Sequence, residues 1–455
     1  MSRKLLFPVL FLTLLLCSCG KSETARETAT YGDYDSEQAN VGAYLNATYE
    51  IHVSDYAWGP SVDRVQMLMD APLDAVSRED FTIVETKATT NYDKEDFPVE
   101  TQSFPREILD AYLADENGTP VAEPSKVLVL SLSVSPESGN PLNYNPATGL
   151  NTWCSPYYME IEQASGRNLT SCGQPVRDLS VRLTPSRMVT SADDIALDSF
   201  TSSDRITYPY AHFEPVGGSD TLLVWLHGGG EGGTADTDPR IPMLASRALV
   251  LMREEFQNEV GGINILIPQC PTLWMDMNGG GRIEDILSLS DGTSFYTESL
   301  KELIDVYREE TSSEKVILAG CSNGGFMSLL LALTYPEDFD GIIPICETLR
   351  DENIGEDSIQ KIASMPMYFI YSKDDSIALP ELNSVPTIKR LRALDAPALH
   401  VAASEHVIDS KGTTDENGDP YQYMGHWSWI YFFNNETRCE THGESAWEFI
   451  HNLAA

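Results

Sequence analysis

Two textures of apolar and polar positions divide the chain. Between residues 43 and 209, short β-prone segments at 65–69, 81–86, 127–134, 157–161 and 179–183 are separated by Pro, Gly, Asn and Asp. Strands this short need partners on both sides, and their spacing predicts one all-β sandwich of immunoglobulin-like type. The stretch Asp115-Glu116-Asn117-Gly118 reads as a turn rather than a calcium loop. Near Thr221 the pattern changes to continuous apolar runs, at 221–226, 263–268, 316–319, 341–345, 367–371 and 399–402, alternating with longer helical stretches. That alternation predicts an α/β domain over 210–455, with a mostly parallel sheet covered by helices on both faces. Leu300, Leu303, Ile304 and Tyr307 fall at the spacing of a helix packed on such a sheet, and 445–453 reads as a terminal helix.

The first residues carry a different signal. Arg3 and Lys4 precede an apolar run at 5–16 that is too short to span a bilayer. The run closes on Leu16-Cys17-Ser18-Cys19-Gly20, which resembles a bacterial lipobox. The resemblance implies a signal segment at 1–19, lipidation at Cys19, export, and attachment to a membrane through that lipid, with 20–42 as a polar linker.

At 455 residues the chain is long enough for two domains, and 42% apolar with 22% charged residues is a globular composition. A net charge of −39 repels phosphate backbones and excludes nucleic acid as a partner. Six cysteines follow Cys19. Cys154 and Cys172 allow a local bridge, whereas Cys270, Cys321, Cys346 and Cys439 allow three complete pairings, and each can equally be a free buried thiol. No CxxC or HExxH spacing occurs, so neither a metal nor a cofactor is expected.

The chemistry concentrates in three places. Gly320-Cys321-Ser322-Asn323-Gly324 fits G-x-S-x-G, with the strand 316–319 before it and a helix-forming run at 326–334 after it. A serine on such a turn stands clear of the sheet edge at a helix N-terminus, where developing negative charge is favoured. It needs a base, and His426, in the late loop Gly425-His426-Trp427-Ser428-Trp429, is the strongest candidate. His406 is a weaker one, His400 lies in an apolar strand and reads as structural, and His442 and His451 flank or occupy the terminal helix. The acid belongs between serine and histidine in the chain; Asp375 follows the strand 367–371, with Asp374 as its adjacent rival. His227-Gly228-Gly229-Gly230 follows the strand 221–226, so the amides of Gly228 or Gly229 can join that of Asn323 as an oxyanion hole, with His227 as scaffold. No Gly-Lys-Ser/Thr follows, which argues against phosphate binding.

These runs, with Pro268-Gln269-Cys270-Pro271-Thr272 and Pro344-Ile345-Cys346-Glu347, resemble bacterial α/β-hydrolase esterases of the prolyl-oligopeptidase-like or polyhydroxybutyrate-depolymerase-like kind. Some of these carry an N-terminal immunoglobulin-like domain. The resemblance covers about Tyr208 to the end. It implies that the second aspartate of Tyr371-Ser372-Lys373-Asp374-Asp375 is the acid, although tyrosine stands where the family has histidine and Pro380 comes one residue late. It also implies pocket roles for Trp274 and Glu347, for which burial in the core is the alternative. The expected function is hydrolysis of extracellular esters through a Ser-His-Asp triad and an acyl-enzyme. A serine peptidase using the same groups and a non-catalytic surface binding protein on a hydrolase scaffold are the other two readings.

Overall fold

Side chains along a buried strand alternate between its two faces, and here both faces are covered. Leu222, Val224 and Leu226 enter one core with Leu318, Ile342 and Phe369, while Leu223 and Trp225 enter a second with Ile317, Ile343 and Tyr368. Each fully buried Leu or Ile contributes about 1.5–3 kcal/mol, so the two cores make this sheet the rigid frame of the molecule. A computed structural model describes residues 42–233, 237–281 and 291–455. The signal segment with Cys19, and the linker up to residue 41, lie outside the described residues.

The sheet has eight strands: β1 Ala196–Thr201, β2 Thr207–Phe213, β3 Thr221–Leu226, β4 Asn264–Pro268, β5 Lys315–Cys321, β6 Gly341–Ile345, β7 Met367–Ser372 and β8 Leu399–Ser404. Their order is β1-β2-β4-β3-β5-β6-β7-β8, with β1 and β2 antiparallel to their neighbours and the rest parallel. The sheet therefore begins ahead of the expected boundary at 210. Its first strand is a largely exposed edge with no apolar run to announce it, and β2 is recognisable only through its pairing with β4. The helices Thr297–Glu310, Asn323–Thr334 and Ala446–Ala454 cover the faces. Among the described residues no helix is long and apolar enough to cross a membrane.

The preceding residues form two sheets around one core. One is built on the long hairpin of strands Ala43–Tyr56 and Gly59–Leu73; the other pairs Val99–Arg106, Phe81–Thr90 and Tyr157–Gln163. Leu45, Tyr49, Val65 and Leu128 from the first meet Phe81, Ile83, Met159 and Ile161 from the second, which is the sandwich expected from the sequence. Arg106 crosses between the layers, paired with buried Glu85 and donating to the carbonyls of Val62 and Ser133. The Asp115 turn is closed by the Asp115 carboxylate, which accepts from the amides of Asn117 and Thr119.

Candidate active site

Strand β5 leads straight into the helix Asn323–Thr334, and Ser322 is the single residue between them. At φ 54° and ψ −118° it sits in a backbone region that costs about 1–3 kcal/mol. Its amide donates to the Ile345 carbonyl at 2.8 Å, and its carbonyl accepts from Phe326 at 2.9 Å, which hold the strained turn in place. The turn also needs the two flanking glycines: a Cβ at Gly320 would meet the Gly324 carbonyl at 2.5 Å, and one at Gly324 would meet the Leu226 carbonyl at 1.9 Å.

The hydroxyl so presented meets a histidine from far along the chain. His426 Nε2 lies 2.8 Å from Ser322 Oγ, and Nδ1 lies 2.8 Å from Asp375 Oδ2. The other oxygen of Asp375, whose side chain is buried, accepts from the amides of Ile377 and Ala378 at 2.8 and 2.9 Å, so the carboxylate has no freedom to turn away. Asp374 points elsewhere. It pairs with His406 at 2.7 Å and accepts from Ser372 at 2.5 Å; burial works to raise its carboxyl pKa, but these partners outweigh it and hold the group below the usual carboxylate range. Its oxygen also fills the space where a Gly425 side chain would go, so Asp374 props the backbone beside His426.

Two parts of the chain match known family models. Residues 49–171 match the esterase Ig-like N-terminal domain, and residues 270–363 match serine aminopeptidase S33. No curated protein sequence matches the chain. A thermostable esterase crystal structure aligns over 86% of this chain and 96% of its own, at 20% identity and a TM-score of 0.64. By fold the protein is an α/β hydrolase behind an immunoglobulin-like domain. A ferulic acid esterase aligns over 57% of this chain and 98% of its own, at 13% identity and a TM-score of 0.37.

The glycine loop after β3 departs from expectation at Gly228. Its amide donates to Glu231 Oε2 at 2.8 Å and is already committed, so of the two alternatives, Gly228 or Gly229, only the Gly229 amide is left to serve as a donor. Gly229 is exposed, and among the described residues its amide has no partner. The Asn323 amide opens a helix and lacks an intrahelical acceptor, as the first turn always does. The Asn323 side chain is held back from the site, accepting from the Met275 amide at 3.0 Å. His227 is fully buried, with Nδ1 2.8 Å from the Gly228 carbonyl and Nε2 accepting from the Cys270 amide at 2.9 Å. Burial lowers its pKa to about 4, so it stays neutral and braces the loop as the sequence suggested.

Sequence reasoning missed Glu231. Burial raises its pKa to about 8, and a carboxyl among glycines has chiefly backbone amides to bond, a signal that was available in the motif itself. Glu347 is also fully buried, bonded to Ser384 and to the Leu349 amide, and pushed up to about 8 by burial. Like Trp274, it is a core residue rather than an exposed wall. The N-terminal domain reaches the same loop: the hairpin of strands Leu142–Asn145 and Leu150–Trp153 sends the Asn151 amide to the Gly230 carbonyl at 2.6 Å and Trp153 Nε1 to Asp238 at 2.8 Å. The six described cysteines are all free. Cys154 is buried and Cys172 is exposed on a hairpin turn, so the local bridge allowed by their spacing does not form.

Proposed function

We propose that the protein is a serine carboxylic ester hydrolase. The reading rests on one observation, the continuous chain of 2.8 Å contacts from Ser322 through His426 to Asp375. In this mechanism Ser322 Oγ attacks the acyl carbon as His426 Nε2 takes its proton. Asp375 fixes the tautomer by accepting from Nδ1 and stabilises the imidazolium that forms. The amides of Gly229 and Asn323 receive the oxyanion, and the imidazolium then protonates the departing alcohol. A water, deprotonated by the same imidazole, attacks the acyl-enzyme, and release of the acid restores Ser322.

Hydrolysis of amides is the second reading, favoured by the serine aminopeptidase match over residues 270–363. Against it stands the N-terminal part, which matches an esterase domain and folds as a sandwich, not as the propeller that restricts substrate size in oligopeptidases. Short-chain p-nitrophenyl esters assayed beside aminoacyl and prolyl p-nitroanilides decide between them. Faster ester turnover, abolished in Ser322→Ala, is expected; faster amide turnover would reverse the assignment, and no turnover of either would favour a binding role.

Export and lipidation at Cys19 belong to the same proposal, with polymer-borne or small esters outside the cell as substrates. Radiolabelled palmitate fed to an expressing bacterium should label the wild-type chain and not Cys19→Ser. Equal labelling of both would remove the anchor.

A further inference from the structure

At the edge of the sheet, the chain gathers four side chains that the ester chemistry does not use. His400 stands on β8, while Cys439, His442 and Glu444 come from the segment that leads into the C-terminal helix. Donor atoms of His400, Cys439 and His442 all lie within 4.8 Å of one another. The segment is built as a tight knuckle: the Gly443 amide donates to the Cys439 carbonyl and the Cys439 amide to the Glu444 carbonyl, both at 2.9 Å. That closure puts Cys439 and His442, three residues apart, on the same side. The Glu440 amide then bonds the Val401 carbonyl at 2.8 Å, which lays the knuckle along the free edge of β8 beside His400.

We propose that His400, Cys439 and His442 form a site for a zinc-class transition-metal ion, with Glu444 as fourth ligand or as the carboxylate that orients the His400 ring. Zinc binds thiolate sulfur at about 2.3 Å and imidazole nitrogen at about 2.0–2.1 Å, so a tetrahedral ion separates the two by about 3.6 Å. Cys439 Sγ and His442 Nε2 are 3.6 Å apart. That is the spacing of a weak thiol–imidazole contact, and it is also the spacing that a shared tetrahedral ion sets. His400 Nδ1 is shut off from solvent, and Glu444 Oε2 lies 2.9 Å from it but out of line for a ring N–H to reach it. The same oxygen is 3.8 Å from His442 Nδ1, so one carboxylate lies between the two rings, within ion-pair range of both. The two rings stand nearly perpendicular, their centroids 4.8 Å apart.

The donor set names the metal class. One thiolate with two imidazoles suits zinc, cobalt or copper and excludes magnesium and calcium, which take oxygen. No CxxC or HExxH spacing predicts the cluster, because one ligand comes from a strand and the others from a turn some forty residues on. The ion is structural: it clips the knuckle and the helix Ala446–Ala454 to the edge of the sheet, where Phe449 already packs on His400.

The test uses the untagged full chain, stripped with chelator and titrated with Co(II). A tetrahedral cobalt thiolate gives intense d–d bands toward the red and a near-ultraviolet sulfur-to-cobalt charge-transfer band, whereas solvated Co(II) or an octahedral carboxylate site gives only weak visible absorption and no such charge transfer. The expected result is saturation at one ion per chain, bleaching by added Zn(II), loss of the charge-transfer band in Cys439→Ser, and affinity lower by roughly 10–100-fold in Glu444→Gln. His442 is exposed, so His442→Ala carries the test if Cys439→Ser does not fold. Only the weak absorption of solvated Co(II) in the wild type, with no charge-transfer band, or undiminished intense bands in His442→Ala, would overturn the proposal. Neither readout depends on ester turnover, so it stands or falls apart from the proposed activity.

Discussion

Asp374 and Asp375 are adjacent carboxylates with separate duties. Asp375 is held by two amides and His426, Asp374 by His406 and Ser372. Asp375→Asn should lower ester kcat by roughly 10⁴-fold, because the amide cannot hold the imidazole in the required tautomer. Asp374→Asn should cost roughly tenfold or less, through loosening of the backbone at Gly425. Steady-state kinetics on one p-nitrophenyl ester measures both, and equal losses would contradict the division. The two buried glutamates give a second expectation at this scale. Burial raises both to about 8, so the stability they contribute is complete below the unfolded carboxyl value of about 4.3 and is lost as pH rises through 8. His227 has the opposite sign: lowered to about 4, it contributes above the unfolded value of about 6.5 and loses that contribution on acidification. Between pH 6.5 and 8 only the glutamates titrate among these three, so the urea midpoint should fall with pH and fall less in Glu231→Gln. Parallel declines would assign the titration elsewhere. The sequence alone ranks Asp375 above Asp374 by motif register. It cannot show which oxygen meets which ring, because that depends on a turn whose amides bind one carboxylate and leave the other to His406.

The loop Gly228 to Gly230 is shaped from both domains. Gly230 has φ +94°, and a Cβ there would meet the Asn151 side chain at 2.7 Å and the Tyr144 ring at 3.4 Å. Gly230→Ala should therefore push the hairpin off the oxyanion loop and lower kcat by roughly 10²-fold, the range set by loss of one oxyanion donor, with a smaller change in KM. Unchanged kcat would mean that the hairpin touches the loop without setting it. Elements of this kind differ in how far the sequence reveals them. The parallel strands β3 and β6 are legible residue for residue, since strands buried on both faces read as unbroken apolar runs. The long strand Ala43–Tyr56 escapes such a search because only alternate residues, Leu45, Ala47, Tyr49, Ile51 and Val53, are buried. Contacts between the hairpin and the Gly228–Gly230 loop leave no trace in either local pattern, because each segment alone is an ordinary polar turn.

Across the whole molecule, the two domains are joined by charge as well as by packing. Asp55, at the tip of the long sandwich hairpin, is buried against Arg247 at 3.4 Å, Arg253 and Ser191. The adjoining Ala57 and Trp58 pack on Val407, Tyr423 and Ile430, the cluster that supports the approach to His426. Asp55→Ala leaves two arginines without their carboxylate and should cost on the order of 2 kcal/mol, read as a lower urea midpoint with the slope retained. A lower slope instead would mean that the domains unfold separately. In the proposed mechanism one serine, activated across the ends of β5 and β7, does the chemistry. The most direct test of that mechanism is labelling with a p-nitrophenyl phosphonate followed by peptide mass spectrometry. The account predicts a single adduct per chain, on Ser322, formed in step with loss of ester turnover and absent from Ser322→Ala. An adduct on another residue, or full turnover by a chain labelled at Ser322, would contradict it.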